Sequence, residues 1–229
     1  MTARAALTAL CFVLALSSRG FPQALAVSPQ SDPPPGELAD PVEALMSGGG
    51  QRVAAGGRTL EFWWVKSMPL TPASTAVSWA AVDEGTLVGA VRLSDAYPDV
   101  RGRVIPAGVY TLRFALEPQD GQHRGVSPYR EFLLLAPASA DERTAALGHD
   151  GAVAVATQTP GATHPACWSL DPPLAPPAAS GSTMTTEGGQ SAVIFSVNAS
   201  RDGRDAGELT FGLVLAGTLP PNGAAVPRR

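Results

Sequence analysis

The sequence predicts an all-β fold, an antiparallel β-sandwich with one short helix and a disordered N-terminal region. From residue 58 onward, apolar and polar residues alternate with a period of two, which is typical of strands that bury one face. Glycines and prolines separate these runs, and no long stretch has the period of an amphipathic helix. Many short strands joined by such turns favour a sandwich.

The first 26 residues have the organisation of a secretion signal. Arg4 supplies a positive charge, an apolar run follows, and Ala24-Leu25-Ala26 matches an A-x-A cleavage site. The apolar run is too short to span a bilayer permanently. We therefore expect cleavage after Ala26, no membrane span in the mature chain, and a periplasmic or secreted location.

Residues 27–57 are predicted to form a flexible linker. Five prolines lie between positions 29 and 41, and glycine clusters occupy 48–50 and 56–57. Such a composition buries too little apolar surface to offset the entropy of ordering the chain. The β-sandwich domain is then expected at 58–217, and a flexible tail at 218–229.

The clearest predicted strand covers residues 109–117. Tyr110, Leu112 and Phe114 fall on one face and Thr111 and Arg113 on the other, which indicates a sheet buried on one side only. The other regions follow from similar but weaker patterns. They comprise strands at 60–65, 74–82, 86–93, 130–135, 152–159, 166–170, 190–198 and 208–217, a helix at 138–147 and an exposed loop at 171–189.

Composition excludes one class of partner. The chain has 16 basic and 20 acidic residues and a net charge of −4, which becomes more negative once the leader is removed. This balance argues against nucleic-acid binding. Of the two cysteines, Cys11 lies in the leader, so Cys167 has no intrachain partner and is expected to be a small buried apolar side chain.

The densest polar segment lies between two of the predicted strands, at 120–130. Loops on a rigid β scaffold often carry binding groups, so we predict that His123, Ser127, Tyr129 and Arg130 form a ligand-binding cluster for an anion. The alternative is a solvated hairpin. The expected partner is a small molecule, a glycan or an envelope protein.

Three histidines, His123, His149 and His164, are the candidates for a different function. A β scaffold can bring such residues to one metal ion, but no His-x-His or His-x-x-x-His pair is present. We predict no metal, no cofactor and no catalytic residue. A hydrolase or metal-dependent enzyme that uses these histidines is the alternative.

Two adjacent tryptophans, Trp63 and Trp64, lie on one predicted strand. Neighbouring side chains on a strand face opposite sides, so one of them is expected in the core. The other then indicates a binding surface, such as a stacking platform for a sugar.

Ile105-Pro106-Ala107-Gly108-Val109-Tyr110-Thr111-Leu112 resembles the PAG-x-Y-x-L turn and strand of secreted bacterial β-sandwich proteins that are grouped as a domain of unknown function. The wider run at 85–137 is similar to uncharacterised envelope proteins of soil bacteria. The resemblance implies a fold and an envelope location, and it supplies no catalytic residue. We therefore expect an exported bacterial envelope protein that serves as a non-enzymatic binding or structural module.

Overall fold

The computed structural model describes residues 24–99, 101–118, 127–161, 164–172 and 179–217. His123, residues 1–23 and the predicted tail at 218–229 lie outside them. No helix in the described part of the chain is long and apolar enough to cross a membrane. The described residues form two short α-helices, α1 (Asp40–Glu43) and α2 (Gly148–Ala156). The strands are β1 (Leu25–Gln30), β2 (Gly50–Ala55), β3 (Arg58–Trp64), β4 (Met68–Leu70), β5 (Leu87–Leu93), β6 (Tyr97–Pro98), β7 (Val104–Ile105), β8 (Gly108–Leu116), β9 (Glu131–Pro137), β10 (Ala166–Asp171), β11 (Thr183–Thr185), β12 (Ser191–Arg201) and β13 (Arg204–Ala216).

One continuous sheet dominates the structure. Its strands follow the order β1-β2-β3-β5-β8-β9-β10-β13-β12-β11, with antiparallel neighbours, and β4 lies parallel to β12. We call β1, β2, β3, β5, β8 and β9 the first half-sheet, and β11, β12 and β13 the second half-sheet. The mainly β structure is confirmed. The two sheets expected of a sandwich are joined into one, because β10 pairs with β9 through 166–169 and with β13 through Leu170 and Asp171.

The two half-sheets face each other across an aromatic core. The rings of Phe62 and Trp64 on β3 lie 5.2 and 4.7 Å from the ring of Phe195 on β12. Trp64 also contacts Phe211 of β13 edge-on at 5.3 Å. Each of these side chains is at most 4% exposed. Since burial of a large apolar side chain contributes roughly 1.5–3 kcal/mol, this cluster stabilises the curled sheet.

Strand β8 shows both the strength and the limit of the alternation pattern. Tyr110, Leu112 and Phe114 face the core, as predicted. The prediction that the opposite face is solvated is wrong, since Thr111 and Arg113 are both fully buried. A second layer, residues 138–156, covers this outer face of the sheet.

Arg113 holds that second layer in place. Its guanidinium donates to both carboxylate oxygens of Asp141, at 2.7 and 2.8 Å. It also donates to the carbonyl oxygens of Gly85, Ala145 and Arg143. All five N–H groups of the side chain therefore have acceptors, which is what a buried arginine requires.

The structure also corrects the prediction of a flexible linker at 27–57. Strand β1 pairs with β2, and β2 pairs with β3, so these residues begin the first half-sheet. The glycines have specific roles in it. A Cβ on Gly50 would lie 1.7 Å from the Phe62 carbonyl oxygen, and Gly56 and Gly57 take positive φ in the turn between β2 and β3.

Residues 31–46 cross the outer face of β3 and cover Trp63. The Trp63 indole N–H donates to the Asp32 carbonyl at 3.0 Å, and its side chain is fully buried. Arg92 lies over the same ring and pairs with Glu37. Both tryptophans of the pair are thus buried, so the predicted sugar platform at Trp63 or Trp64 is wrong.

The predicted helix is displaced along the chain. Within 138–147, where it was expected, only a 3₁₀ turn forms at Ala138–Ala140. The helix is α2, which begins at Gly148 and occupies much of a predicted strand. Ala152, Val155 and Ala156 share one face of α2, and this spacing packs them on the sheet.

Candidate ligand-binding cavity

A cavity of about 270 Å³ lies between α2 and the outer face of the first half-sheet. Ala152, Val155 and Ala156 of α2 cover Ala115 and Ala136 of the sheet, but the helix has only nine residues and leaves part of this face uncovered. Most of the lining is apolar. The lining residues are Arg101, Ala115, Leu116, Glu117, Pro118, Phe132, Leu134, His149, Val153, His164, Pro165 and Cys167.

A carboxylate fixes the orientation of His149 at this cavity. One oxygen of Glu84, Oε1, accepts the Leu116 backbone N–H at 2.7 Å and lies 3.0 Å from His149 Nδ1. Both Glu84 and His149 are about one-third exposed. Since an ionised carboxylate only accepts hydrogen bonds, Nδ1 carries the proton toward Glu84. The other ring nitrogen, Nε2, then carries the lone pair that can accept a hydrogen bond.

Other charged and polar side chains also line the cavity. Arg101 and Glu117 contribute one positive and one negative side chain. His164 Nδ1 lies 2.8 Å from the Pro165 carbonyl oxygen, which can only accept, so this ring also carries its proton on Nδ1. Because most of the lining is apolar, the cavity suits an uncharged molecule better than an ion.

Cys167 contributes a thiol to the cavity wall. Burial raises the pKa of this thiol to about 11, and the nearby Arg101 lowers it by less. The thiol is therefore protonated at neutral pH, and a protonated thiol is a poor nucleophile. Cys167 is only partly buried, so the prediction of a small buried apolar side chain is confirmed only in part.

The residues predicted to bind a ligand are only partly brought together. Tyr129 and Arg130 line a second cavity of about 320 Å³ beside Trp79. Ser127 is buried, and its hydroxyl accepts the Tyr129 N–H at 3.3 Å. His123 lies outside the described residues.

The Arg130 guanidinium is held by the backbone of Glu117, a residue that does not line this second cavity. Its Nε and Nη2 donate to the Glu117 carbonyl oxygen at 3.2 and 2.9 Å. The guanidinium edge that was predicted to hold an anion thus ties the two ends of the 117–130 segment together. Anion binding by this cluster stays a prediction.

The structure brings His149 and His164 to the same cavity, as the alternative enzyme hypothesis required of the histidines. Among the residues that the structure describes, no group of three potential metal ligands is found. The third histidine of that hypothesis, His123, is not among them.

Sequence reasoning missed the pairing of Glu84 with His149. The two residues are 65 positions apart, and neither belongs to a recognisable motif. The only available signal was the presence of His149 among three histidines.

Comparison of the chain with protein-family models, with curated proteins and with solved structures gives no match. The resemblance at 85–137 to secreted bacterial proteins stays a prediction. Functional inference therefore depends on the geometry of the cavity.

We predict that Cys167 reacts slowly in the folded protein. A pKa raised from 9.0 to about 11 lowers the thiolate fraction at pH 8 about 100-fold. Iodoacetamide should alkylate Cys167 at least about tenfold more slowly in the folded protein than in urea, since the greater nucleophilicity of a thiolate of higher pKa offsets part of its lower fraction, and the rate should rise with pH up to about 11. Mass spectrometry of the Cys167 peptide measures both rates, and equal rates would contradict the prediction.

Proposed function

We propose that this protein is a non-enzymatic binding module that holds a small, mostly apolar molecule between α2 and the sheet. The observation that supports this most is the cavity itself, with apolar walls and a few polar groups at one side. Ligand sites in proteins commonly have this composition.

The volume restricts the size of the ligand. A cavity of about 270 Å³ equals the liquid volume of about nine water molecules at roughly 30 Å³ each. It lies just below the usual range for ligand sites, roughly 300–1,000 Å³. A single substituted aromatic ring or a short branched chain matches this volume. Of the partners expected from the sequence, the small molecule is favoured.

The protonated state of the Cys167 thiol favours a binding function over nucleophilic catalysis. Cys167 lies in the cavity wall, but burial keeps it protonated. The alternative of a hydrolase retains some support from the pairing of Glu84 with His149, because a carboxylate-bound imidazole is a common general base.

A substitution that fills the cavity tests the proposed function. Val153 on α2 lines the cavity and is only partly buried, so Val153→Phe adds volume there without replacing a core residue. We expect the wild type to bind p-xylene or p-cresol in calorimetric or NMR titrations. Val153→Phe should weaken that binding at least about tenfold through steric overlap.

Val104→Phe is the matched control. Val104 on β7 is 68% exposed and does not line this cavity, so this variant should bind as the wild type does. Absence of binding by the wild type at the solubility limit of both compounds would overturn the proposed function. So would unchanged affinity in Val153→Phe.

We further propose that the protein is exported to a bacterial periplasm or secreted. Support comes from the charged, apolar and small-residue order of residues 1–26. Cleavage after Ala26 would leave Val27 as the first residue of a shortened β1, which keeps its pairing from Val27 with Val53 to Gln30 with Gly50.

The intact mass of the protein recovered from the periplasm or medium tests this proposal. We expect the mass of a chain that begins at Val27. An exported product that retains Met1 would contradict cleavage, and a product confined to the cytoplasm would contradict export.

A further inference from the structure

The pairing of Glu84 with His149 positions the His149 imidazole at the cavity. Glu84 comes from the segment before β5, and its carboxylate is itself held by the Leu116 N–H at the end of β8. His149 lies in the first turn of α2. The carboxylate thus fixes the imidazole with respect to both walls of the cavity, the helix and the sheet.

This arrangement also selects the tautomer of the ring. With the proton on Nδ1 directed at Glu84, the neutral imidazole presents the lone pair of Nε2. No other hydrogen bond of His149 is found within the described part of the chain. Nε2 is therefore a fixed hydrogen-bond acceptor beside an apolar cavity.

A fixed acceptor in apolar surroundings selects for a donor on the ligand. When a ligand displaces water from this acceptor, leaving the acceptor without a partner costs more than the bond itself gains, so an analogue that lacks the donor is rejected. A neutral donor is favoured over an ammonium group, because most of the lining is apolar and removing a charge from water against such walls is costly. A hydroxyl meets these conditions, since it can also accept a hydrogen bond from Arg101.

We propose that His149, positioned by Glu84, recognises the hydroxyl group of a small neutral alcohol or phenol whose apolar part fills the cavity. This inference rests on the proposed binding function and adds the chemical class of the ligand. Two compounds of nearly equal shape allow the two claims, binding in the cavity and recognition of a hydroxyl by His149, to be tested separately. p-Cresol and p-xylene have the same number of non-hydrogen atoms and differ by a hydroxyl in place of a methyl group.

The experiment measures the affinities of both compounds at pH 8. The full chain is compared with His149→Phe and with Glu142→Gln, an exposed substitution outside the cavity. We expect the wild type and Glu142→Gln to prefer p-cresol about tenfold, the usual effect of one hydrogen bond. His149→Phe should lose this preference and still bind p-xylene.

Nitrogen-15 NMR of the histidine rings gives a readout that does not depend on a variant. The Nε2 resonance of His149 should have the position of an unprotonated ring nitrogen, and p-cresol should shift it whereas p-xylene should not. This measurement tests hydroxyl recognition by His149 even if the His149→Phe variant fails to fold.

The outcomes separate the two proposals. If both compounds bind the wild type with equal affinity, the binding function stands and recognition by His149 is overturned. A preference for p-cresol that persists in His149→Phe also overturns it. If neither compound binds, the proposed function itself fails.

Discussion

The buried pair of Arg113 and Asp141 is the interaction on which the outer layer of this protein depends. Both side chains are fully buried, and Thr111 adds a hydroxyl bond to Asp141 at 2.5 Å. Removing two charges from water is costly, so such a pair is tolerated only when its hydrogen bonds are complete. Here they are complete on the arginine side, and three of the bonds reach backbone carbonyls of Gly85, Arg143 and Ala145.

The position of the cavity follows from this constraint. Arg113 fixes residues 141–145 against the sheet, and Gly85 next to Glu84 is bound by the same guanidinium. The Leu147 N–H also donates to the Gly85 carbonyl at 3.3 Å, directly before α2 begins. The segment that supplies Glu84 and the helix that supplies His149 are therefore held to one another by one network of hydrogen bonds.

The sequence was a good guide to the core and a poor one to the outer layer. Alternation along β8 identified Phe114 as a core residue. It could not show whether Arg113 faces water or a second layer, because an arginine satisfies the polar half of the pattern in either case. Similarly, the alternating alanines and valines of 152–156 fit a strand, and only their packing on the sheet makes them a helix.

The candidate site was even harder to predict from the sequence than the outer layer. Its main polar contact joins Glu84 to His149 across 65 positions, and no local pattern encodes such a pairing. The glycines at 48–57 were similarly ambiguous. High glycine content is typical of linkers, but here Gly50 allows close approach to Phe62 and Gly57 allows a turn.

The central claim is that the pair of Arg113 and Asp141 holds the outer layer, and thereby the cavity, on the sheet. Amide hydrogen exchange of Arg113→Met tests it most directly, with Arg92→Met, a half-exposed arginine, as control. The account predicts that residues 141–156 lose protection in Arg113→Met while β3, β5 and β12 keep theirs. Unchanged protection of α2 in Arg113→Met would contradict the account.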